Sequence, residues 1–596
     1  MSTQPAWNGK NLPRLTPRMT ERLMAVAAGR RFADRIIRNV HLVNVHIPRL
    51  EENRELAILG DRIAAIGDDL GHLIGKNTEV IDGRHQIALP GMIDPHTHLD
   101  SMFTVREFAR LALASGNTTA MSETAMIAGA AGPDGVSAFI DEARAVPMRV
   151  FFLAPPQVPP FPDFETSAGL NFEGFKTLLR QPDVIGVGEN YWRPALDLRP
   201  GAARQLAAAR TLGLTREGHA AGARGFHLQA YRAGGITSCH EATTPKDVLE
   251  RLALGLAVQI REGYVRSELP AMGPLADMKG LDTRRLMLCS DLASFEMLLR
   301  TGVMNEVVRR AVAVGFKTLQ AIQMVTLNPA DYFGLTGLGR LDPGALADLV
   351  LVDRLDRLTA ELVMVGGRVV ARKGMLTVNM PYFQYDPVLR RTFKLKRLDP
   401  ADFTLPAPNR PVKVRIVDMF NETITREAIL EIQGRRLGIQ TDPENDLVKV
   451  AVWNKHSASP RGGVGLARGW GLRHGAVATS LLWDNNNLLC VGVTDREMAM
   501  AANRVLELQG GLAVVRGRRV LAEMPMPVGG IISEKPLPEL AREMNDVEKA
   551  IRGLGSLLDR PFLALQTFCF TGLPFIRLTD RGLLDVRRGK MVSVVL

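Results

Sequence analysis

Apolar positions follow different rhythms in successive parts of the chain. After about residue 36 come "IIRNVHLVNV", "RELAILGDRIAAIG" and "TEVIDGRHQIALPGMID", β-rich runs broken by Gly-Asp and Asp-Gly pairs. They predict short strands joined by tight turns. From Gly91 the texture changes, and apolar runs alternate with amphipathic stretches. "NTTAMSET" precedes "DGVSAFIDEARAV", "RVFFLAP" precedes "FEGFKTLLRQP", and "VIGVGEN" precedes "AARQLAAARTLG". "LTREGHA", "GITSCHEA", "LAVQIREG" and "RLMLCSD" follow, then the helical "MNEVVRRAVAVG". Strand and helix alternating over roughly 250 residues predict an α/β fold, a (β/α)8 barrel. After Asn328-Pro329 the β texture returns in "GALADLVLVDRL" and "ELVMVGGRVVARKG". Pro-rich "LDPADFTLPAPNRPV" then marks a boundary.

The expected organisation has four parts. An N-terminal helical extension covers 1–35. A small β domain is built from both flanks of the barrel, 36–89 plus 338–397. The barrel occupies 90–337, and a separate C-terminal α/β domain occupies 410–596.

Composition narrows the class. At 596 residues the chain is too long for one core. Apolar residues at 46% and charged residues at 23% are ordinary for a globular protein. No window approaches the ~18 consecutive apolar residues of a spanning helix, and the N-terminus lacks the pattern of a secretory signal. Cys239, Cys289, Cys490 and Cys569 lie far apart without CxxC spacing, so a reducing cytoplasm is expected. A net charge of +11 raises the question of nucleic acid. The basic residues are dispersed, however, and the densest cluster, "RRTFKLKR", precedes a linker. Aromatic residues do not interleave with it, so the expectation is an enzyme with a basic surface, no nucleic-acid partner and no membrane.

The candidate chemistry begins in "LPGMIDPHTHLDSMF". His96 and His98 stand at i and i+2, which on a strand puts both imidazoles on one side. If that strand lines a barrel, both reach its C-terminal mouth, where barrel enzymes place their chemistry. Alone, the pair reads equally as metal ligands or as polar residues satisfied in a turn. His219, His240 and Asp291 each follow an apolar run where the next loop begins, and Glu189 ends "DVIGVGEN". Several such positions at strand ends point to a metal site; a single one would be a loop residue.

This pattern resembles the amidohydrolase superfamily of metal-dependent hydrolases. "PGMIDPHTHLDS", "IGVGENYW", "EGHAAGARGFHLQAYRAGGITSCHEATT" and "LGRLDPGALADLVLVD" resemble bacterial adenine deaminases more closely. So do the C-terminal "VKVAVWNKHSASPRGGVGLARGWGLRHGAVATSLLWDNNN" and "VGVTDREMAMAANRVLELQGG". The resemblance covers nearly the whole chain from about Ile36. It implies hydrolytic deamination of adenine at a two-metal centre held by His96, His98, Glu189, His219, His240 and Asp291. Glu189 would stand where many relatives carry a modified lysine. It implies two divalent ions, manganese or iron with zinc also compatible, a small-molecule purine as the partner, and a homo-oligomer.

Asp291 is the expected proton carrier, with a ligand-only role as the alternative. No acid follows His219 closely, which argues against a one-metal scheme. Two stretches depart from the resemblance: "MSETAM" lacks a His-Glu pair, and "DNNN" lacks a His. They leave open a different purine or a cyclic amide. Three further residues are candidate substrate contacts. Glu123 either replaces a lost polar function or lies in a surface loop. Glu241 either meets the substrate or, pointed away by strand alternation, forms a salt bridge behind the mouth. Asp484 either reaches the site across a domain boundary or belongs to a polar turn.

Overall fold

The structure is a computed structural model and describes residues 12, 15–197 and 201–596. A helix runs over Pro17–Ala27, capped by the Thr16 side chain, which accepts from the Met19 N–H. It buries Leu23 and Val26. It stops well before the first strand, Arg35–Asn44, where Ile36, Ile37 and Val40 begin a new buried pattern.

That strand belongs to a nine-stranded sheet drawn from two distant parts of the chain. Residues 35–90 supply one side and residues 349–376 the other. They join where Leu349–Val352 pairs antiparallel with Ile87–Pro90, Leu349 opposite Pro90. Pro90 leads directly into the barrel, and Gly91 makes the passage possible. A Cβ there would lie 2.2 Å from the Thr118 hydroxyl. Past Leu376 the chain leaves this sheet. Tyr385 donates to Glu142 at 2.5 Å, Arg390 pairs with Glu534 at 2.8 Å, and the Lys394 N–H reaches the Lys455 carbonyl at 2.8 Å. The segment thus straps the central domain to the C-terminal one.

The central domain is TIM-barrel-like. Its strands are β1 (Met92–Thr97), β2 (Asn117–Glu123), β3 (Arg149–Ala154), β4 (Val184–Tyr191), β5 (Thr215–His219), β6 (Ser238–Cys239), β7 (Ala257–Arg261) and β8 (Leu286–Cys289). They form two parallel arcs, β1 to β5 and β6 to β8. Backbone hydrogen bonds span both gaps: Thr237 N–H to Arg216 O at 2.9 Å, and Asp291 N–H to His96 O at 3.1 Å. β2 is buried at every position, as expected of a strand covered on both faces. Helices such as Val105–Ala114, Pro245–Ala253 and Met304–Ala313 pack outside, turning Phe108, Val248 and Val307 inward.

The C-terminal domain is built on an eight-stranded sheet from Pro411 to Pro525. Its central strands alternate between two packed faces. Ala476, Ala478, Cys490 and Ala513 meet the helix Asp495–Glu507. Val477, Val491 and Val514 face the large shared core, with Leu540 and Val547 of the helix Leu537–Gly553. The two domains also exchange backbone: Ile532–Ser533 pairs in parallel with Met102–Phe103, just after β1. Among the described residues no helix is long and apolar enough to cross a membrane.

Candidate metal centre

The side chains picked out at strand ends converge at the carboxyl ends of the central strands. β1 ends at Thr97, so His96 lies on it and His98 just beyond. Both are buried, with ring centroids 5.4 Å apart. Asp291 arrives past β8 in a left-handed conformation, φ 47°, and Leu292 follows at φ 86°. This turn bends the chain back across the mouth and aims the carboxylate at the histidines. Asp291 Oδ1 lies 3.2 Å from His96 Nε2 and 3.5 Å from His98 Nε2.

Glu189 stands between two groups. Its Oε1 is 3.6 Å from His96 Nε2, 3.9 Å from His98 Nε2 and 3.0 Å from His240 Nε2. Two clusters therefore share one carboxylate: His96, His98, Glu189 and Asp291, and Glu189, His219 and His240. In each, the donor atoms all lie within 4.8 Å of one another.

The donors suit a divalent cation. His240 Nε2 is close to Glu189 yet out of hydrogen-bonding alignment, and both its ring nitrogens lack a protein partner. Atoms that face one another without bonding are arranged around a common point. The set holds nitrogen and oxygen but no thiolate, which fits a borderline or hard divalent ion. Charge points the same way. Glu123, Glu189, Glu241, Asp291 and Asp484 are all buried within this region. Buried carboxylates at such density require compensating positive charge.

Local electrostatics are strongly perturbed. Burial opposes charge on His96, but Asp291 and Glu189 outweigh it and hold the imidazolium up to about 10. Burial and the neighbouring His96, stacked at 4.1 Å, pull His240 down to about 4. Burial also opposes ionisation of Glu241, and Arg261 overrides it, taking the carboxyl down to about 2. Burial, then the charge of Glu189, push Asp484 up to about 8.

A cavity opens above the clusters. His98, Glu189, His219 and Asp291 line its floor. The C-terminal domain supplies the roof through Thr423, Trp483, Asp484, Leu563 and Phe570. Asp484 thus crosses the domain boundary and touches Tyr191, while keeping the left-handed turn conformation, φ 62°. Glu241 lines the cavity and lies 3.3 Å from His219 Nε2. Strand alternation does not point it away, because β6 is only two residues long and the chain has turned before Glu241. Of the two places expected for Glu123, the surface loop is ruled out. It is fully buried on β2 and stands behind His96, 3.6 Å from Nδ1, outside the cavity lining. Its Oε2 accepts from the Glu189 N–H at 3.3 Å.

"DNNN" is a clamp between domains. Asn485 donates to Glu165 at 3.2 Å, Asn486 to the Met126 carbonyl at 2.7 Å, and Asn487 to the Thr166 carbonyl at 2.8 Å. Both departures from the resemblance, "MSETAM" and "DNNN", therefore meet at one hydrogen bond.

Arg261 is a site residue that the sequence reading missed. It ends β7, lines the cavity and contacts Glu241, with Glu268 at 2.8 Å and Asp291 at 3.3 Å. Its place at a strand's carboxyl end is the same signal that picked out His219.

Comparison with known proteins agrees with this arrangement. Residues 87–370 match the amidohydrolase family, and residues 422–590 match the adenine deaminase C-terminal domain. An adenine deaminase of Moorella thermoacetica is 37% identical over 587 residues, covering 97% of this chain and 98% of that one. The chain belongs to the adenine deaminase family. Adenine deaminase 3 of Rhizobium meliloti is 34% identical, with 96% of this chain and 98% of the relative aligned. An adenine deaminase of Archaeoglobus fulgidus is 35% identical, with 96% and 97% aligned. Membership accounts for the roof, since the matched C-terminal domain supplies it.

Proposed function

We propose that this chain hydrolyses adenine to hypoxanthine and ammonia at a centre of two divalent metal ions. The observation that carries the reading is the shared Glu189 between two buried ligand clusters, in a chain aligned end to end with adenine deaminases. His96, His98, Glu189 and Asp291 would hold one ion; Glu189, His219 and His240 would hold the other. Manganese or iron suits this donor set, and zinc is compatible. We read the two arcs as one closed (β/α)8 barrel presenting all six ligands.

When bound, such ions would supply a nucleophile at neutral pH, since a metal ion lowers the pKa of its water from 15.7 to about 7. The chain's own residues do the rest. Trp483 and Phe570, with ring centroids 6.1 Å apart, offer apolar surfaces for a flat heterocycle. Glu241 and Asp484 face the same space and present oxygens to ring N–H and amino groups. Asp291 is the proton carrier, kept ionised against burial by His96, His98 and Arg261. A C6–O bond forms and the C6–N bond breaks. Of the two water protons, one ends on the ring and the other leaves on ammonia. Proton transfer by such a group contributes about 10²–10⁴ in rate.

The four cysteines, free and buried, fit a reducing cytoplasm. The direct test is the manganese-loaded protein with adenine, followed by ammonia release and hypoxanthine absorbance. Turnover supports the reading. Inertness toward adenine with turnover of a cyclic amide or another purine would replace it by the second reading. That second reading rests on the two stretches that depart from the resemblance, "MSETAM" and "DNNN", which meet where Asn486 donates to the Met126 carbonyl, two residues from Asp484.

A further inference from the structure

Five arginines from separate parts of the sequence line one cleft that the catalytic site does not use. At the amino ends of β5 to β8 lies a cleft of ≈ 1260 Å³ lined by Arg210, Arg216, Arg232, Arg284 and Arg285. Thr215 opens β5 beside it and His219 closes the same strand, so cleft and metal centre lie about 13 Å apart along β5 at ~3.3 Å per residue.

Four of these guanidinium groups have no carboxylate partner among the described residues. Arg216 bonds the Gly235 and Leu214 carbonyls, each at 2.5 Å. Arg232 bonds the Leu254 and Ile236 carbonyls at 3.2 and 3.1 Å, and Arg285 bonds the Gly255 carbonyl at 3.0 Å. For Arg210 no side-chain bond occurs among the described residues. The acids nearby are already engaged: Asp282 with Arg284 at 2.6 Å, and Asp331 with Arg340. Backbone carbonyls orient these forks without themselves supplying a full negative charge. Burial disfavours the Arg216 cation, as do the neighbouring Arg210 and Arg232, and the nearby Tyr332 and Glu217 offset this only in part. Five guanidinium groups in a concavity whose one lining carboxylate, Asp331, is already paired with Arg340 attract an anion.

We propose that this cleft binds a compact phosphate-bearing anion with at least two linked phosphate groups. Guanidinium forks match phosphate oxygens in pairs, and several converging on one concavity select a polyanion over a single charge. The cleft offers one aromatic side chain, Tyr332, and no series of stacking platforms, which disfavours a nucleic-acid strand.

The test is equilibrium dialysis of the whole protein against inorganic pyrophosphate. Wild type is compared with the pair Arg210→Glu/Arg285→Glu, both exposed positions. Binding should weaken at least tenfold in the pair, with adenine turnover and the melting curve unchanged. Should the reversed pair not fold, Arg210→Gln/Arg285→Gln should bind with intermediate affinity. Three results overturn the proposal: no binding by wild type, equal binding by the variants, or displacement of pyrophosphate by a short RNA at lower concentration. Equal binding would place the ion at the metal centre or elsewhere. Adenine turnover is read separately, so its absence would count against the deaminase reading and not against this one.

Discussion

The Tyr191 hydroxyl reaches the Asp484 carboxyl across the boundary between the central and C-terminal domains. The same oxygen lies 3.0 Å from Glu189 Oε2. One phenol thus ties the roof of the cavity to the carboxylate shared by both ligand clusters.

Tyr191→Phe keeps the ring packed against Phe570, at 5.9 Å, and removes only this tie. It leaves Asp484 buried without its partner, at a cost of about 1–3 kcal/mol. We expect a folded protein with kcat/KM reduced by about tenfold or more and metal content retained. Steady-state kinetics alongside metal analysis check this. Unchanged kinetics would show that roof and floor act independently.

Arg261 compensates Glu241, Glu268 and Asp291, all buried. Arg261→Met leaves three carboxylates without their cation, and breaking a buried pair in this way costs about 3–5 kcal/mol. A large fall in melting temperature is expected. Arg261→Lys keeps the charge but loses the fork, so it should fold while losing most activity. Two variants with equal stability would contradict this account.

Glu165 pins the domains together, accepting from Thr571 at 2.7 Å and Asn485 at 3.2 Å. Burial pushes its carboxyl up to about 7 from 4.5. The folded state therefore binds more protons than the unfolded state between those values. The contribution to stability is complete below pH 4.5 and is lost as pH rises through 7, on the order of 3 kcal/mol in all. Glu165→Gln should flatten this slope, read as melting temperature against pH. An identical slope in the variant would assign the dependence to another group.

His98→Ala removes one proposed ligand and little core packing. Turnover should disappear and one ion should be lost, while the circular dichroism spectrum stays native. Chelation of the wild type should lower the melting temperature, because ions that bind only the folded state stabilise it. Full activity in His98→Ala would remove that residue from the centre.

Much of this site could be read from the chain because barrel chemistry sits at strand ends. His96, His98, Glu189, His219, His240 and Asp291 each close an apolar run, so a local pattern names them. Arg261 gave the same signal in "LAVQIREG" and was missed because a lone arginine suggests no ligand. Glu241 stayed open between the cavity and the back of the mouth, because alternation holds only while a strand lasts, and β6 lasts two residues. Leu563, Phe570 and Thr423 were invisible for another reason. They reach the cavity through packing of a sheet and helices more than eighty residues beyond the barrel, which no local period encodes. The strand runs on both flanks were legible, but their union in one sheet depends on the long-range pairing of Leu349 with Pro90.

The central claim is that six side chains hold two ions through a shared Glu189. Anomalous diffraction from a manganese-loaded crystal tests it most directly. Two peaks are predicted, one among His96, His98, Glu189 and Asp291 and the other among Glu189, His219 and His240. A map with no peak at these residues, or with manganese only at other positions, would contradict it.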